Sequence, residues 1–114
     1  MRIKYDKLVR DRIPDIIRQA GKTPTVRVAD PTELTQLLEA KLKEETEELL
    51  APTADRPKEL ADILEVLHAL ARQEDMTPDD LEDLRRRKAK DRGGFKEGIV
   101  LLEVDSNSEF KAED

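Results

Sequence analysis

The sequence predicts an all-α fold, an antiparallel helical bundle of about four helices. Two helix start signals, residues 30–33 and 77–80, each place a capping side chain before a proline at the first helical position. Leucines recur at spacings of three and four residues after the first signal and again from Leu60 to Leu70, which is the period of a helix with one apolar face. For a chain of 114 residues we expect one helical domain over residues 1–114, with 105–114 as a flexible tail.

Each expected helix lies between a start and a stop signal. The four are expected at about residues 14–20, 30–50, 57–74 and 77–92. The short loop over 51–55 predicts that the second and third helices lie antiparallel and adjacent. The β-branched residues over 23–28 and the apolar run over 98–104 leave open a short two-stranded ribbon.

Composition restricts the partners and the compartment. A net charge of −6 argues against stable nucleic-acid binding, which needs a basic surface. The chain has no cysteine, so thiolate metal sites are excluded. No signal peptide or membrane-spanning run is visible, so we expect cytoplasmic residence and no membrane partner. Because 42% of so small a chain is charged, we expect it to bury more apolar surface in a homodimer or higher homo-oligomer.

Two acids of the second helix face the predicted core. At about 100° per residue, Glu45 and Glu48 fall inside the leucine arc, together with Lys41. Glu44 and Glu47 lie at the edge of that arc or beyond it. The second helix therefore offers an inward pair of carboxylates spaced i, i+3.

The third helix offers a similar pair. Its apolar arc is wide and is formed by Leu60, Ile63, Leu64, Leu67 and Leu70. Glu59 lies within one side of this arc, and Asp62 lies at its margin. These two acids are also spaced i, i+3, and they follow directly after the short connecting loop.

Acids that converge on a core need a partner. An unpaired buried carboxylate is costly, and neighbouring carboxylates repel one another. A divalent cation removes both problems, and carboxylate oxygens suit Mg²⁺ or Mn²⁺, which also bind phosphates. The residues leave two alternatives open: the acids pair with Lys41, Arg56 or Lys58, or they rim the bundle in solvent.

The same acidic segments carry a resemblance to a known family. Residues 41–48 and 59–64 resemble the ExxE…ExxD signature of the MazG-like all-α NTP pyrophosphatase superfamily, which includes phosphoribosyl-ATP pyrophosphohydrolases and house-cleaning nucleotide enzymes. The segment from Tyr5 to Pro14 and the segment from Arg92 to Ile99 look like one branch of it. The resemblance extends to about Val104. The gap between the two acidic segments is shorter than in many relatives, which bears on the substrate more than on the metal.

The resemblance implies a metal site and a reaction. By position, it implies that Glu45, Glu48, Glu59 and Asp62 coordinate Mg²⁺. It also implies hydrolysis of a nucleoside triphosphate to the monophosphate and pyrophosphate, as house-cleaning of non-standard nucleotides. Either Glu44 or Glu45 is then expected to accept the proton of the attacking water.

Basic residues are the expected phosphate ligands. On the fourth helix, Lys88 and Arg92 continue the inward stripe of Leu81 and Leu84, so we expect them to hold the triphosphate, with pairing to the acidic helices as the alternative. The further expected substrate-binding residues are Lys41, Lys7, Arg10, Gly93 and Gly94. For the two glycines the alternative is a simple helix cap, and for Lys7 and Arg10 it is surface or subunit-interface pairing.

Two other functions remain open at this stage. Phosphoribosyl-ATP pyrophosphohydrolase, an enzyme of histidine biosynthesis, shares the acidic signature. A non-catalytic helical interaction module would use the acids only to keep an oligomer soluble. The chain has no GxxxxGK[ST] phosphate-binding loop, which argues against ordinary ATPase or kinase chemistry.

Overall fold

The structure, a computed structural model, describes residues 1–105 and confirms the all-α fold. Four α-helices lie in this range, and no strand is present there. They are α1 (Ile13–Gln19), α2 (Pro31–Leu49), α3 (Arg56–Gln73) and α4 (Pro78–Arg92). Each boundary lies within about two residues of the prediction. Apart from Asp105, the predicted tail over 105–114 lies outside the described residues.

The chain divides into two compact units. The first covers residues 1–78 and contains α1, α2 and α3, whereas the second begins at Asp79 and contains nearly all of α4. Across residues 1–105, α2 and α3 are the pair of helices that pack together, so the first unit is built on a two-helix hairpin. None of the helices in this part of the chain is both long and apolar enough to cross a membrane.

The start of α2 has the predicted N-cap. The Asp30 carboxylate accepts a hydrogen bond from the backbone N–H of Glu33 at 2.9 Å, and Pro31 opens the helix. The Glu33 carboxylate does not return to the cap, because it accepts two hydrogen bonds from the Arg27 guanidinium, each 2.7 Å long. A bidentate charged pair is stronger than a single bond to a neutral N–H.

Hydrogen bonds at both ends confirm that α2 and α3 run antiparallel. At one end, the Gln73 side-chain amide of α3 donates to the Pro31 carbonyl and to the Thr35 hydroxyl, both at 2.8 Å. At the other end, the Arg56 guanidinium donates to the Leu49 carbonyl at 3.0 Å. This bond satisfies one of the carbonyls that the end of α2 leaves without a helical partner.

The core between α2 and α3 is small. Leu38, Val66 and Ala71 are its buried apolar side chains, and no side chain of residues 1–105 is less than 2% exposed. Val66 faces the partner helix, but the leucines that define the apolar arc of α3 do not all do so. Leu60, Leu64 and Leu67 are 54%, 50% and 37% exposed, so the predicted inward arc of α3 was too wide.

The two-stranded ribbon is not formed. Residues 23–28 and 98–104 contain no strand, and Val28 and Ile99 are 94% and 84% exposed. A strand needs hydrogen bonds from a neighbouring strand, and an apolar run with no such neighbour stays irregular.

Replacement of Leu38 by alanine is predicted to lower the free energy of unfolding by about 2–4 kcal/mol, because it removes a buried leucine from a core with few other members. The matched control is Leu50→Ala, at a leucine that is 69% exposed. Urea unfolding should show a loss of about 0.5 kcal/mol or less for this control. Equal losses in the two variants would contradict the core described above.

Candidate acidic site

Two buried glutamates face each other across the helix pair. Glu45 of α2 and Glu59 of α3 are 7% and 8% exposed, and they are the buried charged residues of the described chain. Glu45 lies on the same side of α2 as Leu38, two turns further along the helix. The short loop turns the chain back at this end, so the first turn of α3 brings Glu59 opposite Glu45. Both were predicted to point inward, and both do.

Each buried glutamate has a lysine of its own helix beside it. Lys41 Nζ lies 3.6 Å from Glu45 Oε1, and Lys58 Nζ lies 3.6 Å from Glu59 Oε1. The other oxygen of each carboxylate, Oε2, is buried and has no hydrogen-bond partner. A buried polar atom without a partner is costly, so these two atoms lower the stability of the fold.

Glu48 completes a group of three acids but is itself exposed. One carboxylate oxygen from each of Glu45, Glu48 and Glu59 lies within 4.8 Å of the others. The helical-wheel projection at about 100° per residue predicted that Glu48 faces inward with Glu45, but Glu48 is exposed in the structure. Glu48 belongs to the last turn of α2, where the helix pair is open to solvent, so its carboxylate reaches the group from the edge.

Burial and crowding change the charge state of Glu45. Loss of solvation, the adjoining Glu59 carboxyl group and repulsion by Glu48 raise the pKa of Glu45 to about 7, and Lys41 opposes this rise only in part. Near neutral pH, Glu45 is therefore protonated in a substantial fraction of molecules. Such a group can release a proton when a cation or another positive charge approaches.

Asp62, the fourth predicted metal ligand, is held by two cations. Arg10 Nη2 donates to Asp62 Oδ1 at 2.7 Å, and Lys58 Nζ donates to Asp62 Oδ2 at 3.3 Å. Partial burial raises the pKa of Asp62, but the hydrogen bonds from Arg10 and Lys58 outweigh it and leave the pKa below its ordinary value. Asp62 is thus ionised, and it is not one of the three acids that lie within 4.8 Å of one another.

The sequence predicted a different role for each of these two cations. Lys58 was weighed only as an alternative partner for the acids, although its spacing from Asp62, i and i+4 on one helix, is a recognisable pairing signal. Arg10 was predicted to bind substrate. Its contact with Asp62 joins positions 52 residues apart, and no local pattern indicates such a contact.

A small cavity lies beside the acidic group. It has a volume of about 120 Å³ and lies between α2 and the N-terminal segment, which is residues 1–12 before α1. Its lining residues are Asp6, Lys7, Leu8, Leu37, Ala40, Lys41 and Glu44. Lys41 therefore borders both the cavity and Glu45. Glu44 is exposed, and its carboxylate lies 3.9 Å from Lys41 Nζ.

The remaining predicted substrate ligands belong to the second unit. Lys88, Arg92, Gly93 and Gly94 are all exposed there. The predicted inward stripe of α4 is not buried: α4 has no buried residue, and Leu84 is 43% exposed. Gly93 has a φ of +84° and its N–H donates to the Ala89 carbonyl at 2.8 Å, which makes it a helix cap. A cap was the alternative considered for this glycine.

The group of three acids fits a divalent cation. Carboxylate oxygens are the ligands that Mg²⁺ and Mn²⁺ prefer, and two of the oxygens present are buried without a partner. A cation at this position would cancel the repulsion among the three carboxylates. The lysines alone do not achieve this, because each contacts only the Oε1 side of its neighbour.

Comparison with known proteins leaves the family open. The chain matches no known protein-family profile and no solved structure. Over 45 residues it is 51% identical to an uncharacterized protein of Mycolicibacterium smegmatis, a match that covers 40% of this chain. The match covers 46% of that relative, so the chain matches less than half of its length.

Replacement of Glu45 by glutamine is predicted to stabilise the chain at pH 8 in the presence of a chelator. The folded-state pKa of about 7 lies above the ordinary value of 4.5, so the contribution of Glu45 to stability is fully present below pH 4.5 and is lost as the pH rises through 7. Glutamine does not ionise, and the gain at pH 8 should reach up to about 3 kcal/mol.

The gain should shrink to a few tenths of a kcal/mol at pH 4.5, where Glu45 is protonated in the folded chain and about half protonated in the unfolded chain. Thermal unfolding at the two pH values measures it. Glu47→Gln, at an exposed position of α2, is the matched control and should show no such pH dependence. A gain that is equal at both pH values would contradict the raised pKa.

Proposed function

We propose that this protein is a magnesium-dependent nucleoside triphosphate pyrophosphohydrolase, which converts a triphosphate and water to the monophosphate and pyrophosphate. The observation that carries the proposal is the pair of buried glutamates, Glu45 and Glu59, whose Oε2 atoms lack partners beside a third carboxylate. The sequence resemblance of the acidic segments to MazG-like pyrophosphatases supports the same reaction. A cytoplasmic location accords with a nucleotide substrate and is part of the proposal.

The acids are assigned to hold the metal. Glu45, Glu48 and Glu59 lie close enough to share one ion, and Asp62, one turn after Glu59 on α3, is the fourth proposed ligand. When bound, Mg²⁺ neutralises phosphate charge and lowers the pKa of a coordinated water. Mn²⁺ has the same ligand preference and is the alternative ion.

Other residues of α2 are assigned to the water and the phosphates. In the reaction, a water oxygen forms a bond to the α-phosphorus, and the bond from that phosphorus to the bridging oxygen breaks, which releases pyrophosphate. Glu44 is exposed, and its ion pair with Lys41 is as long as 3.9 Å, so its carboxylate can accept the proton of that water. Glu45 is the second candidate for this role. Lys41, which faces both Glu45 and the cavity, is placed to meet a phosphate oxygen.

Cations from two other segments complete the proposal. Lys7 lines the same cavity as Lys41, and Arg10 lies on the same segment as Lys7. Lys88, Arg92, Gly93 and Gly94 lie in the second unit, and their assignment to phosphate rests on the sequence resemblance alone. Hydrolysis of non-standard nucleotides is the proposed role, in keeping with the house-cleaning enzymes that the terminal segments resemble.

Pyrophosphate release from a panel of standard and modified nucleoside triphosphates, with phosphoribosyl-ATP included, tests the reaction. With Mg²⁺ the native chain should cleave at least one of them. Glu45→Gln and Asp62→Asn should each lower the rate at least about 100-fold, which is the scale of losing one strong electrostatic contact to a transition state. Glu47→Gln, which removes an exposed carboxylate of the same helix, should leave the rate unchanged.

The panel also separates the alternatives. Cleavage of phosphoribosyl-ATP alone would replace the proposal with the histidine-pathway enzyme. If no compound is cleaved by the folded native chain, the enzyme proposal fails and the non-catalytic helical module takes its place.

A homo-oligomer is the second part of the proposal, because α3 leaves a leucine row exposed. Leu60, Leu64 and Leu67 lie on one side of α3, and the first unit has few buried side chains to offset them. We expect light scattering to show the native chain as a dimer or larger. Leu64→Lys should shift it to a monomer, whereas Val28→Lys, at a residue outside the helices, should not. A monomeric native chain would contradict this part.

A further inference from the structure

The Arg10 side chain links the segment before α1 to the acidic helices by a hydrogen bond, and its partner Asp62 is a proposed metal ligand. Arg10 Nη2 lies 2.7 Å from Asp62 Oδ1, and the Arg10 side chain remains 56% exposed. The backbone at Arg10 is anchored, because its carbonyl accepts a hydrogen bond from the N–H of Ile13 at 3.0 Å, at the start of α1. The guanidinium can therefore leave Asp62 by rotation of its side chain alone.

The acids divide into two kinds by the partners of their oxygens. Both oxygens of Asp62 accept hydrogen bonds from cations, Arg10 on one and Lys58 on the other. In contrast, Glu45 and Glu59 each keep one buried oxygen without a partner. Positive side chains therefore pair with Asp62 at the more exposed side of the group, whereas the buried Oε2 atoms of Glu45 and Glu59 have no hydrogen-bond partner.

We propose that Arg10 and a divalent cation compete for Asp62, and that Arg10, once released, binds the phosphate of the ligand. The inference rests on the proposed function, because it takes the acidic group to be a metal site. It makes Arg10 a phosphate-binding residue whose partner depends on whether the metal site is filled.

The energies favour such an exchange. An exposed ion pair such as Arg10–Asp62 contributes little, so its loss is easily offset by a doubly charged ion that also contacts three other carboxylates. The guanidinium is a strong, bidentate donor to phosphate, so a released Arg10 has a natural second partner. Lys7, three residues earlier, lines the cavity beside Lys41, so a second cationic side chain of the same segment lies near α2.

Calorimetric titration with Mg²⁺ alone tests the first half of the inference. Arg10→Gln removes the competing cation and should bind Mg²⁺ about two- to fivefold more tightly than the native chain, as expected for the loss of an exposed ion pair. Arg18→Gln is the matched control. Arg18 is 55% exposed, and its guanidinium lies 2.9 Å from Asp15 within α1, so the variant makes the same change in charge away from the acids. Its Mg²⁺ affinity should equal that of the native chain.

Titration with inorganic pyrophosphate at saturating Mg²⁺ tests the second half. Arg10→Gln should bind pyrophosphate about tenfold more weakly or worse, since a charged hydrogen bond is lost. Arg10→Lys keeps the charge but not the paired donors, so its two affinities should lie between those of native and Arg10→Gln. Opposite changes in metal and phosphate affinity are a signature that a merely structural arginine would not give.

Each outcome decides one claim. If none of the folded chains binds Mg²⁺, the proposed metal site fails. If all bind Mg²⁺ equally, or if Arg10→Gln binds it more weakly, the metal site stands and the competition at Asp62 is overturned. If Arg10→Gln binds Mg²⁺ more tightly but pyrophosphate equally well, the competition stands and the phosphate role of Arg10 is overturned.

Discussion

Two buried carboxyl groups, Glu45 and Glu59, set the physical constraint on which the first unit depends. They face each other across the only helix pair that packs within residues 1–105, and each keeps one oxygen without a partner. A core as small as Leu38, Val66 and Ala71 has little surplus to offset such a cost. An apolar pair at these positions would remove that cost, and so would a cation bound by both carboxyl groups.

Three cationic side chains surround that pair. Lys41 and Lys58 lie beside the Oε1 atoms of Glu45 and Glu59, and Arg10, from the segment before α1, pairs with Asp62. The Oε2 atoms of the buried pair have no partner, and an ion pair as exposed as Arg10–Asp62 contributes little. Fold stability and the proposed chemistry therefore draw on the same few side chains.

Local signals in the sequence predicted the helices and the buried acids well. Caps and prolines set the helix starts, and the α2 wheel found Glu45, because these signals act within a few residues. The same projection wrongly predicted that Glu48 and Leu64 face inward, because burial depends on which parts of the chain pack nearby. Glu48 is exposed at the end of α2, and no part of the described chain covers Leu64. The Arg10–Asp62 contact spans 52 residues and depends on tertiary placement, which no periodicity records.

The most direct test of the account is thermal unfolding of the native chain at pH 7.5 over a series of Mg²⁺ concentrations, with Ca²⁺ as a second series. A cation that binds only the folded acidic group must stabilise it, and the stabilisation must grow with the logarithm of concentration above the dissociation constant. The account predicts a rising Tm that Glu59→Gln abolishes. A Tm that does not change with Mg²⁺ would contradict the metal site, and with it the proposed reaction.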